Sequence, residues 1–329
     1  MRAIVISRPG GPEVLELRDV PRPDPAPGRV LVRVHATAVN RADLLQRAGR
    51  YPAPPGAPAD IPGLEFAGEV AALGRGVTGW TPGERVFGIA SGGTYAEYVA
   101  VHEGALAAIP PSLDWASAAA VPEAFITAHD ALITQAGLQG GESVLIHAVG
   151  SGVGLAAVQI ARWRNASAYG TTRTATKLEA AARLGMSDGV LVSEDLAVVT
   201  EAVDRWTGGR GVSVVLDLVG GAYVPAGIAA LAPLGRLILV GTVAGHRAEL
   251  RLDHLLRKRA TLRGTVLRSR TDAEKAAATA AFVRDVVPAL ADGRMRATVD
   301  RILPLRDAGR AHQIVAADEN TGKVVLAVA

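Results

Sequence analysis

The 329-residue chain contains no cysteine. That excludes disulfides, thiol catalysis and every zinc site that depends on thiolate ligands. No apolar run approaches the ~18 to 20 consecutive residues that a membrane-spanning helix needs, so no membrane role is expected. The start, MRAIVISRPGG, reads as a strand and turn and lacks the basic, apolar and cleavage-site succession of a secretory signal, which places the protein in the cytoplasm. Charge of one sign is equally scarce: the formal net charge of +3 comes from arginines scattered along the chain. Without a basic block to track phosphates, nucleic acid is not an expected partner. No fixed-period repeat is present either. What the chain does have is a 49% apolar fraction and length enough for two domains, each with its own core.

Two rhythms divide that length. Up to about residue 120, short alternating runs such as RVLVRVHATAVN and EFAGEVAALG are separated by Pro and Gly punctuation such as YPAPPGAPADIPG. That is the pattern of a mostly antiparallel β region. From Ser143 to about Thr265, apolar strands alternate with helices predicted over 152–164, 174–184, 196–207 and 222–232. Such alternation indicates a parallel sheet covered on both faces. A long helix from Asp272 to Leu290, a short one over 306–316 and a closing strand KVVLAVA follow. The fold class is therefore α/β, with a doubly wound Rossmann-type domain (121–265) inserted into a β-rich domain built from 1–120 and 266–329.

The first parallel strand runs into VLIHAVGSGVG, Val144 to Gly154. Val149 and Ser151 stand where a G-x-G-x-x-G fingerprint has its first two glycines, and only Gly154 fills the third. Strand, tight turn and helix N-terminus are nonetheless the context that attracts a pyrophosphate, with Ser151, Gly152 and Val153 at the helix start. By itself the turn fits a plain βα connection as well as a nucleotide cradle. One strand later, a site for NAD needs a carboxylate for the adenosine ribose, yet none occurs between Ser151 and Glu179. Arg173, Thr174 and Lys177 follow that strand instead. They read either as solvated charges on a helix start or as partners of a 2′-phosphate. Cations at a helix N-terminus oppose the helix dipole, so an anionic partner accounts for them better and NADPH is favoured.

These stretches, with GGPEVLEL, NRADLLQRAGRYPAPPGA, GLEFAGEVAALG, PEAFITAHDAL, LRSRT and NTGKVVLAV, span the chain in order. Together they resemble the zinc-independent quinone oxidoreductases of the medium-chain dehydrogenase/reductase superfamily, and most closely the p53-inducible quinone oxidoreductase subgroup. The resemblance implies a GroES-like catalytic domain around the Rossmann domain and a turn in which Ser151 offers phosphate a hydroxyl. It sets Asn40 and Leu64 where zinc-dependent relatives place a cysteine and a histidine, so no metal is expected. It further implies that Asn40 and Tyr51 line a cleft between domains and that Thr127, Gly241 and Thr242 lie near the nicotinamide. Leu267, Arg268 and Lys323 belong to segments that close over the cofactor. The tyrosine usual after the third parallel strand is replaced by GVLVSED, which puts more weight on Arg173 and Lys177. Asn165 stands where a turn glycine is usual, and Asn tolerates the left-handed conformation. A homodimer joined through the edge strand RATLRGTVL is also implied.

The expected chemistry is hydride transfer from NADPH to a quinone or a related electron-poor carbonyl. Tyr51 and Asn40 are the candidates to steady or protonate the developing oxyanion. Asp43 is expected to orient its loop by accepting backbone or arginine donors, Glu65 to hold hydrogen bonds beside Leu64, and His147 to be a satisfied, half-buried strand residue; His129 is given no role. Two alternatives stand beside this reading: an enone or enoyl-thioester C=C reductase, and an NADPH-binding sensor or structural protein with little turnover.

Overall fold

Short β-rich segments punctuated by glycine and proline fold as the alternation demands. The computed structural model describes residues 1–328. The N-terminal segment supplies strands β1 (Arg2–Ile6), β2 (Leu15–Asp19), β3 (Arg29–Ala38), β4 (Glu65–Leu73), β5 (Arg85–Ile89), β6 (Tyr98–His102) and β7 (Leu106–Ala108), with helices α1 (Arg41–Arg47), α2 (Trp115–Ala119) and α3 (Pro122–His129). The central segment supplies β8 (Ser143–His147), α4 (Gly152–Trp163), β9 (Ser167–Thr172), α5 (Ala175–Arg183), β10 (Asp188–Leu191) and α6 (Ala197–Thr207). It continues with β11 (Val212–Asp217), α7 (Tyr223–Ala230), β12 (Leu231–Leu239), α8 (Leu252–Lys258) and β13 (Thr261–Gly264). Then come α9 (Asp272–Asp285), α10 (Val287–Ala291), β14 (Val299–Pro304), α11 (Ala308–Ala316) and β15 (Lys323–Ala327).

The chain forms two compact units, Met1–Ile126 with Leu267–Ala329, and Thr127–Val266. In the first, a seven-stranded sheet has the order β14-β15-β3-β4-β5-β7, with β6 on β3. Only the β14–β15 pair is parallel. The inward residues of β3, Val30, Val32 and Val34, pack with Phe66, Tyr95 and Leu326 in its core. In the second unit six parallel strands run β10-β9-β8-β11-β12-β13. The order reverses between β8 and β11, and α/β sheets bind ligands at the carboxyl ends of strands beside such a switch point. β8 and β11 are buried on both faces, as their apolar runs require.

The four helices expected in the nucleotide unit, α4 to α7, fall within two residues of their predicted ends, α8 has no predicted counterpart, and the other differences have local causes. The helix expected over 272–290 is two helices, broken at Val286. Pro288 lacks the N–H that would bond back one turn, and its ring collides with the carbonyl four residues earlier. The helix expected to reach 232 stops at Ala230, and Leu231 starts β12 in register with Val212. Asn165 does take a left-handed conformation, with φ of 58°.

Candidate active site

In the nucleotide unit the site is built on backbone. β8 ends at His147, Ala148 turns the chain with φ of 54°, and Ser151 caps α4 by accepting the Gly154 N–H at 3.1 Å. The N–H groups of Gly152 and Val153, the first two of the helix, have no acceptor in their own helix and point out of its N-terminus. Two glycines make room. A Cβ on Gly154 would fall 2.5 Å from the Val149 carbonyl oxygen, and one on Gly150 would fall 2.6 Å from the stem of Lys177. Lys177 therefore lies across the turn, which ties the start of α5 to the start of α4. Arg173 and Thr174 are exposed at that same start, Thr174 in the N-cap position. Gly241 and Thr242 pack on the Gly220 turn that follows β11, where a Cβ on Gly220 would meet both. Thr127 is buried on α3.

Two residues here were not singled out by sequence. Tyr223 opens α7 and meets the His147 ring edge-on, centroids 5.0 Å apart. Burial raises its phenol pKa, and the nearby Arg173 guanidinium opposes the rise. Asp217, fully buried at the end of β11, accepts the Val219 and Gly220 N–H groups through one oxygen and leaves Oδ2 without a partner. His147 differs from expectation: it is wholly buried, with Nδ1 3.0 Å from Thr171 Oγ1 and Nε2 unpartnered. Burial drives its pKa down to about 4, so the ring is neutral.

The first unit is built on side chains. Asn40 closes β3 and precedes α1; its backbone N–H donates to Asp43 Oδ2 at 2.8 Å. Both N–H groups of its amide are committed, to Ala38 O at 3.2 Å and Glu65 Oε1 at 2.9 Å, and its oxygen accepts from Lys323 at 2.6 Å. Lys323 also forms an ion pair with Glu65 at 2.6 Å, and both side chains are buried. Three strands thus meet in one knot: β3 through Asn40, β4 through Glu65 and β15 through Lys323.

A second chain of contacts leaves the same point. Asp43 accepts from Gly63 N–H (3.1 Å) and the Tyr95 hydroxyl (3.2 Å) as well as Asn40, and full burial lifts its pKa to about 6 against those bonds. The Tyr95 oxygen lies 3.2 Å from His312 Nε2, and Arg47 Nη1 lies 3.3 Å from His312 Nδ1. Burial, then Arg47, drives His312 down to about 3. Because guanidinium only donates, Nδ1 is the acceptor and Nε2 carries the proton toward Tyr95.

Tyr51 lies under Arg268, whose guanidinium carbon is 4.8 Å from the ring centroid. Burial raises the Tyr51 phenol, with Arg268 opposing. Arg268 is itself buried beside Leu267 and donates to Ser91 O, Tyr51 O and Gln46. The first unit thus brings together Asn40 and Lys323, and separately Tyr51 and Arg268; the second brings together Ser151, Gly152, Val153 and Lys177.

Residues 26–111 match the alcohol dehydrogenase GroES-like domain, and residues 152–281 match the family described as zinc-binding dehydrogenase. The quinone oxidoreductase of Lama guanicoe is 32% identical over 99% of this chain and 97% of its own. The spectinabilin polyketide synthase system protein NorB of Streptomyces orinoci is 35% identical over 96% of this chain, which spans only 14% of that protein. Among solved structures, a mycobacterial protein complexed with NADPH has 32% identity, a TM-score of 0.89 and full coverage of both chains. The chain belongs to the medium-chain dehydrogenase/reductase superfamily of oxidoreductases, in its quinone oxidoreductase-like group.

The zinc in the matched family's description does not fit these residues. Leu64 offers no donor atom, and the Asn40 and Glu65 oxygens that remain already hold the Lys323 ammonium. A second cation there would stand against the first. A nicotinamide nucleotide does fit, because the Ser151 turn presents free N–H groups with a lysine laid over it.

Proposed function

We propose that the chain is an NADPH-dependent, zinc-independent oxidoreductase that passes a hydride to quinones or related electron-poor carbonyl acceptors. The observation that carries the cofactor half is Lys177 lying across Gly150 with Arg173 at the same helix start. Ser151, Gly152 and Val153 receive the pyrophosphate, Arg173, Thr174 and Lys177 the 2′-phosphate, and Thr127, Gly241 and Thr242 border the nicotinamide. When bound, the reduced nicotinamide supplies the hydride, two electrons with one hydrogen. The acceptor class is supported by full-length similarity to a quinone oxidoreductase.

On the acceptor side, Tyr51 keeps a hydroxyl with no partner among the described residues and can donate to the developing oxyanion. Asn40, whose amide is fully committed, holds the Glu65–Lys323 pair in place, and Leu267 and Arg268 fix the Tyr51 loop. A homodimer through β13 belongs to this reading, since all four of its residues are exposed on an open sheet edge.

The 35% similarity to a polyketide synthase protein supports a second reading, reduction of the C=C bond of an enone or enoyl thioester. Mixing the protein with NADPH and a panel of quinones, enones and enoyl thioesters, and following loss of reduced-cofactor absorbance, separates the readings. Faster turnover of quinones is the expected result. Faster turnover of C=C acceptors moves the protein to the second reading, and tight NADPH binding without oxidation by any acceptor leaves a nucleotide-binding protein that is no enzyme.

A further inference from the structure

Glu123 is the second residue of α3, and nothing in its sequence setting, PEAFITAHDAL, marks it out from a helix-starting carboxylate. The structure does. Its backbone N–H donates to Glu65 Oε2 at 2.9 Å, which anchors the start of α3 on the Asn40–Glu65–Lys323 knot. The residue is half-buried, and its carboxyl makes no hydrogen bond or ion pair among the described residues. Carboxylates removed from water normally find partners, so an unpartnered one beside a built polar cluster is informative.

Six charged or titratable groups face it: Glu65 from β4, Asp43 from α1, Lys323 from β15, Lys275 from α9, and Arg268 and Tyr51 from loops. The cations among them have other partners. Lys323 is held by Val39 O, Asn40 and Glu65, Arg268 by Ser91, Tyr51 and Gln46, and Lys275 by the Ser91 hydroxyl at 2.6 Å. Burial first, and the adjacent Glu65 carboxylate second, push the Glu123 carboxyl up to about 8. At neutral pH it is a carboxylic acid with a proton to give and no internal acceptor for it.

We propose that Glu123 is the proton donor of the reaction, giving its proton to the acceptor oxygen that hydride reduction leaves anionic. This rests on the reading of the preceding subsection, in which Tyr51 steadies the oxyanion by a hydrogen bond, and adds the group that gives up its proton. When a quinone takes up the hydride, one oxygen becomes phenolate-like. The O–H bond of Glu123 breaks, an O–H bond forms on that oxygen, and the hydroquinone leaves. The Glu123 carboxylate then recovers a proton from water, to which it is partly open. A phenolic oxygen has an ordinary pKa of about 10, so transfer from this carboxylic acid runs downhill, whereas transfer from Tyr51, itself raised by burial, does not. Tyr51, set beside the acceptor in the preceding subsection, belongs to the same unit as Glu123, and the two groups act on each other electrostatically.

The test is Glu123→Gln, which keeps the shape of the side chain and removes the acid. The variant is expected to bind NADPH, followed by fluorescence titration, within about twofold of wild type. Its quinone turnover at pH 7 is expected to fall on the order of 100-fold, in the range general acids contribute. Wild-type turnover should decline above pH ~8, and that limb should vanish in the variant. Independently of turnover, carbon-13 NMR of glutamate-labelled, cofactor-free protein should show one carboxyl titrating far above the ordinary range, absent in the variant. Equal turnover with the same pH profile overturns the proposal while leaving the quinone reductase reading intact. A Glu123 resonance that titrates near the ordinary 4.3 overturns it as well. A wild-type protein that binds NADPH but passes hydride to none of the acceptors offered overturns the underlying reading, and the donor with it.

Discussion

The two units solve the same problem, holding charge in a defined place, by opposite means. Around Ser151 it is met by backbone N–H groups at a helix start, with Arg173 exposed and Lys177 half-buried beside them. Around Asn40 it is done by side chains taken out of water: Asp43, Glu65 and Lys323 within a hydrogen-bonded set that continues through Tyr95 and His312 to Arg47. The first arrangement tolerates loss of a partner, because water replaces it. In the second each group depends on the others, because nothing else is available to solvate a charge that loses its mate.

That contrast can be broken most directly at Lys323. Lys323→Met leaves the Glu65 carboxylate buried without its cation and is expected to cost about 3–5 kcal/mol in urea unfolding. Adding Glu65→Gln should recover a large part of that loss. If the single variant is as stable as wild type, the knot is not the stabilising element described here. In the other unit the corresponding change should spare the fold and strike binding: Arg173→Ala with Lys177→Ala is expected to weaken NADPH on the order of 100-fold, at about 1.5 kcal/mol per charged hydrogen bond, and NADH by threefold or less. Equal losses in the two calorimetric titrations would place the 2′-phosphate elsewhere.

A third measurement compares the units through their buried histidines. His312, down to about 3, and His147, down to about 4, both stay neutral in the folded chain while the unfolded chain takes up protons below about 6.5. Stability should be full above that pH and fall as pH drops from 6.5 toward 4, by about 3 kcal/mol for each ring. Replacing either residue by Asn should flatten the loss of thermal stability between pH 6.5 and 4.5; an unchanged slope would mean the ring is already charged when folded. The smallest effect is expected at Ser151→Ala, which removes a helix cap worth about 1 kcal/mol and should weaken NADPH only a few-fold, checked by thermal unfolding and fluorescence titration.

The same contrast explains what could be read from sequence. The nucleotide unit is local: strand, turn, helix and the cations one strand later lie within some thirty positions, and period and turn chemistry reveal them. Its misreadings were few, the largest being the seven-residue α8, which was not expected. Apolar periodicity ran the helix before β12 two residues too far, and strand alternation could not show that His147 is buried on both sides. The first unit is non-local. Asn40 and Tyr51 stood out through resemblance, but the pairing of Glu65 with Lys323, the Tyr95–His312–Arg47 series and the unpartnered carboxyl of Glu123 arise only when β3, β4 and β15 are side by side. A lysine in NTGKVV carries no local sign that its partner sits between Leu64 and Phe66.

β15 is not an edge strand, although it is the last strand in chain order: it lies between β14 and β3. As the chain emerges from a ribosome, residues 127–266 are complete long before β15 exists, so the nucleotide unit can close on its own while the other sheet waits. During that interval Glu65 and Asn40 are without the ammonium that finally joins them. The first unit thus becomes able to fold only once β15 has been made, and a ribosome stalled before Lys323 would carry a finished nucleotide fold and an open sheet.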